Sequence, residues 1–369
     1  MPHFAEKMTA ILNHGALNLA LAIGYKHRIF DTLEELSRPA TLSEIAASTD
    51  LNQRYLQEWL SVMVSGGIIE LLPAENDPEH YHLPAEHADV LTRRAGTRNM
   101  GVYTQEIPLL TSCALEAVHK DMAVGAGVPF SQYPDFQQFM AELSDAKLEK
   151  ELIETFLPSV DAGRLIPRLK QGIRVCDLGC GHGVAVHLMA QAFPESRFTG
   201  IDNHEEAINR ARTTAREMNL RNADFQVLDA ASLSADPAWA DCFDYILAFD
   251  AIHDQSHPLE ALEGIRSMLA PGGLFSMVDI KAGSRLADNL EHPLGPFLYT
   301  VSLMHCLPVG LNDKGTGLGM MWGREKAEEL LSRAGFEDIA VLEMEQDAFN
   351  LHYLCRVPEV PEASSSRFG

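Results

Sequence analysis

Two pairs of adjacent residues carry most of the reactive chemistry in this chain: His253-Asp254 and His305-Cys306. Imidazole exchanges protons near neutrality, so each histidine is a candidate base. His253 comes a few residues after an apolar run, residues 245–249, that reads as a strand, and sites in open α/β sheets form beyond the carboxyl ends of strands. The plainer reading is a histidine at a helix start with no chemistry. His305 stands in Leu303-Met304-His305-Cys306-Leu307, an apolar stretch of helical character, where a histidine is more often a satisfied core residue than a pocket lining. A metal centre drawn from His253, His305 and Cys306 has no support in local ligand spacing, and no metal is expected.

A second constellation surrounds glycines. Val175-Cys176-Asp177-Leu178 reads as a strand and runs into Gly179-Cys180-Gly181-His182-Gly183, after which residues 184–192 have a helical apolar face. Glycine is needed where backbone turns to positive φ or passes close to a ligand. The opening turn of the helix that follows offers free N–H groups to an anion. The spacing is G-x-G-x-G, not the G-x-G-x-x-G of dinucleotide sites. Further strands end in acids. Residues 197–201 lead to Asp202-Asn203, where one carboxylate suits the two hydroxyls of a ribose or, more plainly, caps the next helix. Residues 224–228 lead to Asp229-Ala230, where a carboxylate and the next N–H match the edge of an adenine, a solvated loop being the alternative.

The elements that must hold these groups follow in order. Residues 245–249 end at Phe249, an amphipathic helix carries Leu259, Leu262, Ile265 and Leu269, and Pro271-Gly272-Gly273 reads as a turn feeding a strand over residues 274–280. A helix over 325–334 and strands over 339–342 and 351–357 close the sequence. The glycine-rich stretch 311–319 reads either as a loop over the site, with Met320, Met321 and Trp322 as an apolar wall, or as a structural turn.

This succession resembles the class I S-adenosylmethionine (SAM) methyltransferases over residues 170–357. The resemblance implies a Rossmann-like α/β fold on a seven-stranded sheet whose last hairpin is antiparallel, with SAM as cofactor and S-adenosylhomocysteine as product. It implies a SAM site made from Asp177, Gly179, Gly181, Gly183, Asp202, Asn203, Asp229, Ala230 and Phe249. Plant O-methyltransferases of this kind carry His-Asp-Trp after the fourth strand, with the histidine as general base; here the segment is His253-Asp254-Gln255. Of two acids that orient the base in those enzymes, one matches Asp279 and the other falls on Met321, a departure from the pattern. A carboxylate beside an imidazole fixes its tautomer and stabilises its cation, which is sound chemistry for Asp279. Asp254, His305 and Trp322 would then face the acceptor. The expected activity is methyl transfer to a small-molecule hydroxyl; N- or S-methylation on the same fold is the nearest alternative.

The first quarter has another plan. Residues 10–33 read as a helix, Thr41 and Glu44 as a capping box, residues 53–65 as a second helix, and residues 68–72 with 80–83 as a hairpin. That is a winged-helix order. Residues 1–90 hold five Lys and Arg against thirteen Asp and Glu. DNA binding needs basic side chains against phosphates, so nucleic acid is not the expected partner. A SAM-sensing winged-helix regulator is the rival function. Winged-helix domains precede the catalytic domain in plant caffeic-acid and animal hydroxyindole methyltransferases, where they dimerise. Met304-His305-Cys306 and residues 317–323 resemble a bacterial winged-helix methyltransferase group still more closely. The expected organisation is a winged-helix and dimerisation domain at 1–90, a helical linker and acceptor-pocket segment at 91–165, a methyltransferase domain at 166–358 and a flexible tail at 359–369.

The length of 369 residues suits two domains, and 46% hydrophobic content supplies their cores. A formal charge of −23 argues against anionic membranes as well as nucleic acid. Six cysteines without paired spacing, no run of about 20 apolar residues and no signal-peptide pattern point to a cytoplasmic protein with reduced thiols.

Overall fold

The computed structural model describes residues 3–72, 78–133, 136–345 and 347–359. The chain forms two compact units, Met1–Ser112 and Cys113–Gly369, divided inside the stretch read as a linker. Of the expected tail, all but Glu359 lies outside the described residues.

The first unit holds helices α1 (Phe4–Lys26), α2 (Ile29–Leu36), α3 (Leu42–Thr49) and α4 (Gln53–Ser65). A small sheet joins β1 (Ala40–Thr41), β2 (Glu70–Leu72) and β3 (His80–His82) in the order β1-β3-β2, both pairings antiparallel. The single helix expected over residues 10–33 is in fact two. Arg28 takes φ 57°, and the break lets Ile29, Phe30 and Leu33 turn onto Trp59, Leu60 and Met63 in one core. The capping box forms as expected: Glu44 N donates to the Thr41 hydroxyl at 3.3 Å, and Thr41 N donates to the Glu44 carboxylate at 2.7 Å. One face of α1 is left open, with Phe4, Leu12, Leu19 and Ile23 exposed.

The second unit is built on a seven-stranded sheet. Its strands are β4 (Arg174–Leu178), β5 (Arg197–Asp202), β6 (Ala223–Val227), β7 (Phe243–Phe249), β8 (Leu269–Ile280), β9 (Asp338–Met344) and β10 (Asp347–Arg356), in the order β6-β5-β4-β7-β8-β10-β9. Strands β4 to β8 pair in parallel, and β10 runs antiparallel to both β8 and β9. The connections put helices on both faces. Cys176, Leu178, Ile246 and Met277 pack on one side, and Val175, Tyr245, Leu247 and Val278 on the other. Chain order leaves β4 outward through β5 and β6, then returns to its other side with β7 and β8. The gap between the carboxyl ends of β4 and β7 is therefore the topological switch point, where such sheets leave a crevice.

Pro271-Gly272-Gly273 does not form the expected turn ahead of a strand. Strand β8 runs through it from Leu269, with Gly272 at φ 73° and a register shift against β7 between Phe243 and Tyr245. The segment is an irregularity inside the ladder because Phe243 and Leu269 already pair. Among the described residues no helix is long and apolar enough to cross a membrane, and none of the six cysteines forms a disulfide.

Gly24 of α1 faces the first core without room for a side chain. An added Cβ would stand 2.3 Å from Trp59 Cζ2 and 2.8 Å from Phe30 Cε2. The indole is fixed by its Nε1–H donating to Ala20 O at 2.8 Å. Gly24→Ala is expected to destabilise this unit by about 1–3 kcal/mol through overpacking. Chemical denaturation followed by tryptophan fluorescence reads the loss; an unchanged midpoint would show that Trp59 can swing aside.

Candidate active site

The glycine turn bridges β4 and the helix Val184–Ala192. Gly179, Gly181 and Gly183 take φ of 75°, 51° and 78°, which side-chain-bearing residues rarely adopt. Their surroundings differ. A Cβ on Gly179 would lie 2.5 Å from the Ala251 Cβ, and one on Gly183 2.4 Å from Phe225, so both are glycine for close packing. A Cβ on Gly181 would meet nothing within 4 Å, so this bend faces open space. Asp202 ties the turn to β5: its Oδ2 accepts from Gly181 N at 2.9 Å and its Oδ1 from His204 N at 2.8 Å. The helix after β5 is capped by the His204 ring, which accepts from Ala207 N, and not by Asp202.

Leu178, Gly179, Ile201, Asp202, Asn203, Leu228, Ala230 and Gln255 line one small cavity at this edge of the sheet. Four residues expected at the cofactor are among them. Asp229 is not; its Oδ1 accepts from Ala231 N at 3.0 Å and caps the turn Ala230–Ala235. Phe249 lines a different cavity with Lys147, Phe156, Asp250 and Met344. Gln255 was not foreseen. Its only sequence signal is its place in the loop after β7, from which its side chain reaches back to donate to Ala251 O at 3.0 Å.

His253 and Asp279 meet as expected. The His253 ring is 3% exposed, and its Nδ1 lies 2.8 Å from Asp279 Oδ1. Asp279, near the end of β8, is fixed in turn by Ile280 N, which donates to the same oxygen at 2.8 Å. With Nδ1 committed, Nε2 points to the other side, 3.5 Å from Asp254 Oδ1. Met321, where the second orienting acid was sought, packs with Ala282 and Leu298. Asp254 is thus the second carboxylate at the ring, supplied from the histidine's own loop.

The structure also draws His305 and Cys306 to this point. They sit on a widened turn, Ser302–Cys306, with π-type hydrogen bonding, and both are buried. His305 Nδ1 lies 3.8 Å from Asp254 Oδ2 and 3.6 Å from Cys306 Sγ. Phe130 and Tyr133 stand edge-on to its ring at 5.9 and 4.8 Å. Trp322 packs into the core beside the sheet, 5% exposed.

Residues 169–297 match the family model of a methyltransferase domain, and residues 15–93 that of the Rv2258c-like winged HTH domain. The chain thus has the class I SAM-dependent methyltransferase fold, with a winged-helix domain ahead of it in sequence. It is 31% identical over 147 residues to the ubiquinone biosynthesis O-methyltransferase of Roseobacter denitrificans, covering 40% of this chain and 54% of that one. It is 29% identical over 117 residues to phthiotriol/phenolphthiotriol dimycocerosates methyltransferase 1 of Mycobacterium ulcerans, covering 32% and 41%. The chain thus spans about half, or less, of the length of these curated relatives. Solved structures match it more fully. Human N-acetylserotonin methyltransferase in complex with SAM superposes with a TM-score of 0.70 at 18% identity, over 97% of this chain and 99% of that one. The mitomycin 7-O-methyltransferase MmcR gives 0.69 at 17% identity, over 96% and 98%. At such identities the likeness is one of fold.

Electrostatics at the histidines diverge. Burial alone would push the His253 pKa down, but Asp279, Asp254 and Cys306 together outweigh it and hold it well above the ordinary histidine value. Burial lowers that of His305, against a smaller pull from Asp254. Because the His253 shift is upward, its stabilising charge is fully present below the unfolded-state pKa and is lost as pH rises through the folded one. NMR of labelled imidazoles is expected to show His253 titrating above about 6.5 and moving down in Asp254→Asn. A His253 titration at or below the free-histidine value would refute this picture.

Proposed function

We propose that this protein transfers a methyl group from SAM to a small-molecule acceptor, with His253 as general base toward a hydroxyl and Asp279 holding it. The observation that carries the reading is the buried His253–Asp279 pair at the carboxyl edge of a sheet whose neighbouring glycine turn leaves room at Gly181. SAM, when bound, supplies an already activated methyl group on a sulfonium. The chain's own residues then have to bind, align and take up one proton.

The binding residues fit that ligand. Asp202 has both oxygens held by backbone N–H groups and retains lone pairs for ribose hydroxyls. Leu178, Ile201, Leu228 and Ala230 give the cavity apolar walls suited to an adenine. Asp177, at the end of β4, is pushed up to about 7, by burial first and then by Asp202. A ligand carrying sulfonium and ammonium charges relieves that cost by pairing with the carboxylates. At the acceptor side, Asp279 keeps His253 in the tautomer whose Nε2 can receive a proton. Only the neutral ring can do so, so turnover should rise with pH through the raised His253 pKa.

A homodimer through α1 goes with this reading, since Phe4, Leu12, Leu19 and Ile23 leave an apolar face exposed on the first unit. The acidic winged helix argues against a DNA-bound regulator. On its would-be recognition helix Arg54 is engaged by Glu58. A cytosolic setting also goes with it, the thiols being unlinked.

Calorimetric titration with S-adenosylhomocysteine should give micromolar binding that Asp202→Ala weakens at least about tenfold, as loss of charge-assisted hydrogen bonds to two hydroxyls demands. No binding by the unaltered protein would defeat the cofactor reading. With methyl-labelled SAM and a panel of hydroxyl acceptors, His253→Ala should lower kcat by about 10²–10⁴-fold at unchanged cofactor affinity. Undiminished turnover would turn the assignment toward N- or S-methylation. Leu12→Glu with Leu19→Glu should convert a dimer to a monomer in light scattering; a monomeric parent protein would remove the dimer.

A further inference from the structure

The four side chains of the two reactive pairs meet around Asp254. The donor atoms of His253, Asp254 and Cys306 lie within 4.8 Å of one another, and His305 Nδ1 stands 3.6 Å from Cys306 Sγ and 3.8 Å from Asp254 Oδ2. Zinc binds nitrogen and oxygen at about 2.0–2.2 Å and thiolate sulfur at about 2.3 Å in a tetrahedron, which sets neighbouring donors roughly 3.3–3.8 Å apart. The 3.5 Å between His253 Nε2 and Asp254 Oδ1 and the 3.6 Å between His305 Nδ1 and Cys306 Sγ fall in that range, while His305 approaches Asp254 at its other oxygen, Oδ2. His253, Asp254 and Cys306 form the compact part of the set, and His305 has to draw in beside them as the fourth donor.

Two independent observations point to a ligand at this place. Asp254 Oδ1 is buried and accepts no hydrogen bond, an expensive state for a carboxylate oxygen. The His253 ring is held from behind by the Asp279 carboxylate, the carboxylate–histidine arrangement that orients imidazole ligands toward metals. The backbone contributes as well. His305 and Cys306 are successive residues of the π-type turn Ser302–Cys306, both buried, and both stand near Asp254.

We propose that His253 Nε2, Asp254 Oδ1, His305 Nδ1 and Cys306 Sγ form a binding site for a zinc-class divalent cation. One thiolate, two imidazoles and one carboxylate suit zinc and its tetrahedral surrogate cobalt better than magnesium or calcium, which take oxygen donors. On binding, the Cys306 thiol gives up its proton to solvent and its sulfur lone pair to the metal, with no change of oxidation state. The cation occupies the Nε2 lone pair that proton abstraction needs, so cation loading and base function are alternative states of His253. The site is thereby a switch on the proposed methyl transfer, although its existence does not depend on that reading.

The test is titration of the chelator-treated full chain with Co²⁺. The expected result is one equivalent bound, with visible bands of tetrahedral strength and a near-ultraviolet thiolate-to-cobalt band, both erased by Zn²⁺. Cys306→Ser should abolish the near-ultraviolet band. Asp279→Asn, which keeps all four donors, should weaken Zn²⁺ at least about tenfold against a chromophoric chelator. S-adenosylhomocysteine titration of each variant, run without metal, reports separately on folding and on the cofactor reading. Absence of the cobalt bands, or their persistence in Cys306→Ser, would overturn the proposal.

Discussion

Strand β4 is hydrogen-bonded in parallel to β5 on one side and to β7 on the other, and the glycine turn, Asp202 and His253 are placed by that arrangement. Parallel pairing brings the carboxyl ends of β4, β5 and β7 to one edge. It delivers there the glycine turn, Asp202 and the loop that carries His253 to Gln255. Parallel strands must be covered on both faces, and both faces of β4 are: Cys176 and Leu178 are 0–1% exposed on one side, and Val175 is 1% exposed on the other. Asp279 arrives from β8, which is also parallel to β7, and this is why a carboxylate 26 residues downstream lies beside the His253 ring. A slip of one residue in β8 would send Asp279 to the opposite face.

Charge gives the site its second common property. The whole chain carries −23, and at the carboxyl edge negative groups are buried with few cations to meet them. Asp177 and Asp250 are both pushed up to about 7, chiefly by burial, and Asp250 Oδ1, Asp254 Oδ1 and Asp279 Oδ2 accept no hydrogen bond. Carboxylate oxygens that accept no hydrogen bond in a low-dielectric setting favour positive charge strongly. A sulfonium, a proton on imidazole and a divalent metal all answer that demand. The proposals of methyl transfer, raised His253 basicity and cation binding are therefore three consequences of one electrostatic condition.

Much of this could be read from the residues in order. The glycine turn, the helix Val184–Ala192 and the closing strands follow from patterns that are local in sequence (strand runs, glycines and helical spacing), while the antiparallel pairing of those strands follows only from the resemblance. The break in the first helix has no local signal because the apolar spacing continues through Arg28, and only packing against Trp59 and Met63 explains it. Pro271-Gly272-Gly273 differs from its expected turn for a related reason. Turn-forming residues say that the backbone is irregular, but not whether a neighbouring strand still pairs across the irregularity. Asp229 and Phe249 show a third limit: the end of a strand can be located from sequence, while the cavity its side chains face depends on the elements packed above.

The proposed cation site is only partly legible in the sequence: its donors stand out as residue types, but no ligand spacing joins them. Ligand motifs are recognisable when donors recur one turn apart on a helix or across a short hairpin. Here the donors come as neighbours, His253-Asp254 and His305-Cys306, and neighbours on regular structure point apart. Two irregularities overcome this. The loop after β7 begins with Asp250 at φ 47°, which turns the chain so that both His253 and Asp254 reach inward. The π-type turn does the same for His305 and Cys306. Each departs from an idealised element, and such strain persists where the surrounding structure over-determines it, characteristically at sites of function. Met321 fits the same logic from the other side. The second acid implied by the resemblance is an apolar side chain here, and the other carboxylate at the ring is Asp254, beside the opposite nitrogen from Asp279. An acid on each nitrogen makes His253 a poorer proton donor and a stronger base, and it leaves Nε2 facing donors that a proton or a metal ion can share.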